Sequence, residues 1–141
     1  MLLLLLACNS LDRPAGVFEA DRSGHFLNRP FPSDELLDAE GRPDLSLFPE
    51  AANDLGQRFS EAWARQANEA VYGFSPLAPI FLQFDGPLPL ESQEGQFNGD
   101  EEDPIRLFDV ETGEHVPIDY RFISSAQGDP YLTNHLLALA P

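Results

Sequence analysis

The chain has 141 residues, and 24 Asp or Glu against 8 Lys or Arg give it a formal net charge of −16 at pH 7. This negative charge repels nucleic-acid phosphates and anionic lipid headgroups, so it argues against nucleic acid as a partner and against membrane binding through a basic patch. A hydrophobic content of 43%, with 11 Phe, indicates a folded domain rather than a disordered chain.

The N-terminus carries five leucines at residues 2–6, followed by Ala7 and Cys8. Five leucines cannot span a bilayer, which needs about 20 apolar residues, but they suit the end of a signal peptide's apolar core. The order Leu-Leu-Ala-Cys resembles the lipobox of bacterial lipoproteins. That resemblance implies a diacylglyceryl group on Cys8, cleavage before it, and attachment to the membrane of the bacterial cell envelope through this lipid anchor. The alternative is a cysteine that follows a hydrophobic start by chance.

Two further features of this region bear on export. No Lys or Arg precedes the leucines, whereas a signal peptide begins with a basic segment, so we expect a start codon further upstream or a fragmentary gene. Asn9 follows the cysteine, and by analogy with Gram-negative lipoproteins the absence of aspartate there favours the outer membrane. Cys8 is the one cysteine, which excludes an intrachain disulfide.

The pattern of the chain predicts four regions. Residues 1–8 are a signal-peptide remnant with the lipobox, residues 9–25 a flexible tether, residues 26–75 an extended Pro-rich segment plus one helix, and residues 76–141 a β domain.

The helix is predicted over residues 54–72. Asn53 or Asp54 can cap its start, and Gly73 occupies the position of a C-terminal glycine. Apolar and small residues recur at spacings of three and four, which predicts one face packed on the core; the alternative for its aromatic residues is stacking on a ligand. This face comprises Leu55, Phe59, Ala62, Trp63, Gln66 and Ala70.

The β domain is predicted to contain four strands, at residues 80–84, 105–110, 116–123 and 131–140, although the last would also allow a helix. The second and third should form a hairpin around the turn at residues 111–114, and residues 91–104 should be an acidic loop. The chain closes on the apolar run 136–141, from which we expect a truncated domain.

Several of these segments resemble a known group. Residues 29–37 (RPFPSDELL) and 73–80 (GFSPLAPI), with the strands at 84–88, 106–110 and 136–141, are similar to the N-terminal region of the bacterial virulence-factor lipases and to bacterial Ig-like domains. The resemblance implies an α+β, mainly β fold: an incomplete Ig-like β-sandwich preceded by the extended segment and the helix. It also implies that an α/β-hydrolase domain follows in some members.

Catalytic, cofactor and metal motifs are not recognisable. The run from Gly73 to Leu77 begins like a G-x-S-x-G elbow around Ser75, but leucine replaces the second glycine and proline follows the serine. The histidines, at 25, 115 and 135, have no metal-binding spacing. The acidic run 100–103 could hold a divalent ion loosely, but a solvated loop fits it better.

Two functions follow as hypotheses. The first is a lipid-anchored cell-envelope protein that acts as a non-catalytic structural or binding module. The alternative is the non-catalytic N-terminal part of a secreted lipase or esterase whose catalytic domain lies beyond Pro141. A G-x-S-x-G motif encoded downstream would distinguish them.

Overall fold

A computed structural model describes residues 3–6, 14–17, 24–49 and 54–141, with the backbone alone described for residues 3–6, 54–58 and 60. Cys8, Asn9 and Asn53 therefore lie outside the described residues, as does much of the predicted tether. Within the described part the fold is mainly β with one α-helix, as the sequence predicts, and every strand pairing is antiparallel.

The elements follow in chain order. The described strands are β1 Leu3–Leu6, β2 Ile80–Gln83, β3 Glu94–Phe97, β4 Ile105–Phe108, β5 His115–Val116, β6 Ile118–Ile123 and β7 Leu136–Ala140. Two short 3₁₀ turns, Phe26–Asn28 and Asp34–Leu36, precede the helix α1, Asp54–Ala70. The helix ends at Ala70, two residues before the predicted end at Tyr72, and the N–H of Gly73, at a left-handed φ of +65°, donates to the carbonyl oxygen of Gly41 rather than to the helix.

The larger sheet has the strand order β2-β7-β6-β3, and its two faces are covered by different parts of the chain. Strand β6 alternates strictly between buried and exposed residues, with Ile118, Tyr120 and Phe122 buried. These three side chains join Leu137 and Leu139 of β7 in one apolar cluster. The period of two along the strand therefore places alternate side chains of β6 in this cluster.

The smaller sheet, with the order β1-β4-β5, packs on this first cluster. Ile105 and Leu107 of β4 are 3% and 1% exposed and belong to it. The opposite face of the larger sheet carries a second cluster, in which Leu136 of β7 packs with the Pro-rich segment and α1. The larger sheet is thus the middle of three layers.

The outer edge of β2 is covered by residues from the N-terminal part of the chain. Phe31 and Phe81 exchange backbone hydrogen bonds of 3.0 and 2.7 Å. The N–H of Val17 donates to the carbonyl oxygen of Gln83 at 2.8 Å, and Ala15 bonds to Asp85. Residues 14–17, within the predicted tether, are therefore attached to the sheet.

Within the predicted β domain, the strands differ most from the structure at three places. Glu94–Phe97 is a strand paired with β6, although it lies in the segment predicted to be an acidic loop. Only Phe97 is buried in this strand, so its sequence lacks the alternation of apolar and polar residues that would predict a strand. The predicted strand 116–123 is divided at Pro117, where the chain passes from the smaller sheet to the larger, because proline donates no ladder hydrogen bond. The predicted strand 131–140 begins only at Leu136.

The predicted turn after β4 is held by Asp109. Its carboxylate accepts hydrogen bonds from the N–H groups of Thr112, at 3.1 Å, and Glu111, at 2.8 Å. These bonds lower the pKa of Asp109 below its usual value of about 3.9. The contribution of Asp109 to stability is therefore complete above that value and is lost as the pH falls through the lowered pKa of the folded state.

Replacing Leu136 tests the central position of β7. Leu136 is 0% exposed, so Leu136→Ala removes buried methyl groups and leaves a cavity, and it should lower the free energy of unfolding by about 2–5 kcal/mol. The matched control Leu77→Ala, at a site 77% exposed, should change it by less than about 0.5 kcal/mol. Urea unfolding followed by circular dichroism measures both. Equal losses for the two variants would contradict the layered core.

Candidate functional site

Helix α1 packs on the rest of the chain through small residues. Ala64 and Ala67 contact the second apolar cluster, and Asn68 is half-buried beside them. When its amide is oriented to satisfy its neighbours, the nitrogen of Asn68 donates to the carbonyl oxygen of Pro43. Over residues 61–70, whose side chains the structure describes, the inward face of the helix therefore approaches the Pro-rich segment through small side chains.

The large aromatic residues of α1 point outward, which corrects the sequence prediction. Phe59 is 75% exposed and Trp63 is 50% exposed, whereas the spacing predicted that they pack on the core. Ala62, Gln66 and Ala70, predicted on the same face, are exposed as well. The apolar stripe exists, but it lies on the side away from the sheet because the alanines occupy the inward side.

Trp63 connects this outward face to the interior through a series of rings. Its ring centroid lies 6.1 Å from that of Phe48, which lies 6.2 Å from Tyr131 and 5.3 Å from the buried Phe26. Tyr131 is itself 38% exposed. We call the surface formed by Phe48, Phe59, Trp63 and Tyr131 the aromatic face. Sequence reasoning missed Phe48 and Tyr131, since spacing along a helix gives no signal for residues on other elements.

A groove of about 480 Å³ runs beside the aromatic face, between α1 and the preceding segment. Its charged lining residues are two arginines, Arg42 and Arg65, and three acids, Asp38, Glu61 and Glu69. Three of these residues follow one another at four-residue spacing on one flank of the helix, where opposite charges attract. The surface around the aromatic face is thus amphipathic, and its charges are nearly balanced although the chain is strongly acidic.

Arg42 is positioned at this groove by Tyr72. Its guanidinium lies 5.4 Å above the centroid of the Tyr72 ring, and one of its nitrogens donates to the Tyr72 hydroxyl at 3.4 Å. The hydrogen bond and the charge interaction with Tyr72 raise the pKa of Arg42, and this side chain, like arginine in proteins generally, is a cation.

Ser75 lies in the connection between α1 and β2, not in the strand-to-helix turn that a nucleophile elbow requires. Its hydroxyl accepts a hydrogen bond from the N–H of Leu77 at 3.2 Å, and its carbonyl oxygen accepts one from Ala78. The serine therefore stabilises a turn before β2.

The three histidines take part in packing and in hydrogen bonds. His25 accepts a hydrogen bond from the N–H of Leu27 and caps the first 3₁₀ turn, and its Nε2 lies 2.9 Å from the carbonyl oxygen of Pro130, far along the chain. His115 packs on Phe108, with ring centroids 4.2 Å apart, and His135 stacks on Phe122.

Asp103, in the acidic run 100–103, accepts hydrogen bonds from the N–H groups of Gly99 and Asp100, both at 2.9 Å. This carboxylate therefore holds its own loop in shape. Among the described residues, no group of three or more His, Cys, Asp or Glu is arranged to hold a metal ion.

In the part of the chain that the structure describes, no helix is long and apolar enough to cross a membrane. No protein-family model, curated protein or solved structure matches this chain.

Ser75 gives a test of the interpretation of this segment as a turn. Neither the purified full chain nor Ser75→Ala should hydrolyse short-chain p-nitrophenyl esters above the buffer rate, because the hydroxyl is engaged in the turn. A spectrophotometric assay of released nitrophenolate measures this. Hydrolysis by the unaltered chain that Ser75→Ala abolishes would contradict the interpretation and identify a nucleophile.

Proposed function

We propose that the chain is a lipid-anchored protein of the bacterial cell envelope, attached through Cys8, and that it acts as a non-catalytic binding module. The observation that carries the binding role is the outward direction of Phe59 and Trp63 on α1. A helix that turns small residues inward and large aromatic residues outward presents an apolar surface for which aromatic interface residues are typical.

The anchor is supported by the sequence Leu-Leu-Ala-Cys, which has the apolar residues, the small residue and the thiol that lipidation needs. Residues 14–17 are attached to the sheet next to β2, and this limits the distance between Cys8 and the folded part of the chain. From Cys8 to Pro14 a fully extended chain reaches about 20 Å. An acyl group on Cys8 would therefore hold the folded part close to the bilayer, in the outer membrane if Asn9 acts by analogy as a sorting residue.

We further propose that the two sheets form an Ig-like sandwich. In support, both sheets are antiparallel and share one apolar cluster, to which β4 contributes from one sheet and β2, β3, β6 and β7 from the other. Two antiparallel sheets with a common core are the basis of that architecture.

The second candidate function is the non-catalytic N-terminal part of a secreted lipase or esterase. Two segments that resemble this group, residues 29–37 and 73–80, contact each other. The ring of Phe31 lies 5.3 Å from that of Phe74. Their contact favours the idea that the two motifs form one unit.

Lipid attachment is tested in a bacterial host with the upstream signal restored. The full chain should incorporate labelled fatty acid and partition into detergent, and Cys8→Ala should lose both properties because no other thiol is present. Fluorography after phase separation in Triton X-114 gives the result. Label retained by Cys8→Ala would refute the anchor.

Coverage of the aromatic face is tested with introduced thiols, since acylated Cys8 leaves none free. Ala62→Cys, beside Trp63 on α1, keeps every residue of the aromatic face, and the control Leu77→Cys lies at another exposed site. A membrane-impermeant maleimide should modify both readily in purified protein. In isolated envelopes, relative to purified protein, it should modify Ala62→Cys roughly tenfold more slowly than the control, because a bound partner excludes the reagent.

Mass spectrometry of the modified protein measures both rates. Equal rates for the two variants in the envelope, each relative to purified protein, would show that α1 is uncovered there and would refute the binding role.

A further inference from the structure

Strand β1 occupies one edge of β4. The four residues pair antiparallel in continuous register, Leu3 with Phe108, Leu4 with Leu107, Leu5 with Arg106 and Leu6 with Ile105. Strand β5 pairs with the other edge, so β4 is the middle strand of the smaller sheet. The apolar run at the N-terminus is thus an edge strand in the full chain.

The alternation of an antiparallel ladder shows which backbone groups β1 covers. The N–H of Asp109 donates to the carbonyl oxygen of Glu114 at 2.9 Å, so Asp109 directs its backbone groups towards β5. Successive residues of a strand direct these groups to opposite sides. The backbone N–H and C=O groups of Leu107 therefore also point towards β5, whereas those of Arg106 and Phe108 form hydrogen bonds with β1.

Strand β4 is held in place independently of β1. Ile105 and Leu107 are buried in the first apolar cluster, and the turn at Asp109 fixes the connection to β5. Removal of β1 would leave the backbone groups of Arg106 and Phe108 unpaired on a strand that keeps its position. Such an edge accepts another strand, because its unpaired N–H and C=O groups are a template for pairing.

We infer that the edge of β4 formed by Arg106 and Phe108 is a strand-addition site for an extended, apolar, uncharged segment. Residues 3–6 fill it in the full chain, and cleavage before Cys8 vacates it. The cleavage step rests on the proposed lipid anchor; the site itself rests on the register of β1 and β4.

Charge determines which occupant fits. A second copy of the chain would bring two molecules of net charge −16 together, and acidic segments would be repelled in the same way. The segment seated there has no charged residue, and its pairing is made by the backbone. An apolar strand from an envelope partner therefore fits the vacated edge.

The experiment uses the full chain with Cys8→Ala, which keeps residues 1–7 attached whether or not the anchor exists. Leu5 pairs with Arg106, so its N–H points into the ladder, while that of Leu4 points away. Leu5→Pro removes a ladder hydrogen bond, and the matched variant Leu4→Pro removes none. Amide hydrogen exchange followed by NMR compares the two.

Leu5→Pro should accelerate exchange at the amides of Arg106 and Phe108 roughly tenfold or more, while Leu107 and Asp109 stay protected. Leu4→Pro should leave all four amides as they are. A neutral, polyethylene-glycol-tailed peptide of sequence Leu-Leu-Leu-Leu-Leu-Ala, added to the Leu5→Pro chain, should restore protection at Arg106 and Phe108.

Three outcomes would overturn the inference: the same exchange in both proline variants, loss of protection at all four amides together, or no effect of the peptide. The proposed lipid anchor is tested separately, by measuring the mass of the protein with Cys8 intact in the envelope fraction. A chain there that retains residues 1–7 refutes cleavage without touching the strand-addition site.

Discussion

The structure depends on the burial of β7 on both of its faces. This strand lies between β2 and β6, and its side chains alternate between two apolar clusters. Leu136 joins the cluster below α1, and Leu137 and Leu139 join the one shared with the smaller sheet. A strand that is buried on both sides must be apolar at consecutive positions, which explains a run of leucine and alanine with no alternation.

The N-terminal part of the chain contributes side chains to the second apolar cluster, and it also covers the edges of two strands. Residues 14–17 and Phe31 bond to the outer edge of β2, and Leu3–Leu6 pairs with β4. An exposed strand edge can pair with a strand of another molecule and so lead to aggregation. The edge of β3 is protected in another way, by polar residues such as Glu94 and Gln96. Strand β1 covers an edge of β4 by backbone pairing, whereas the core strands are also held by their buried side chains.

Helix α1 combines two surfaces with different requirements. Its inward side approaches the Pro-rich segment closely through Ala64 and Ala67, so it needs small residues. Its outward side carries Phe59 and Trp63 beside a groove whose lining includes both acidic residues and arginines. The same helix therefore packs on the fold on one side and exposes large aromatic side chains on the other.

The sequence by itself determined the mainly β class and the presence of a helix over most of residues 54–72, since the spacing of apolar residues is a local property of the chain. It also determined the apolar stripe of α1 that forms part of the candidate site. Only the tertiary structure decided that this stripe faces outward, that Glu94–Phe97 is a strand and that the chain changes sheet at Pro117. The spacing of apolar residues predicts that a helix has an apolar side. Whether that side is buried depends on contacts with residues that are distant in the sequence, and only the tertiary structure shows these contacts.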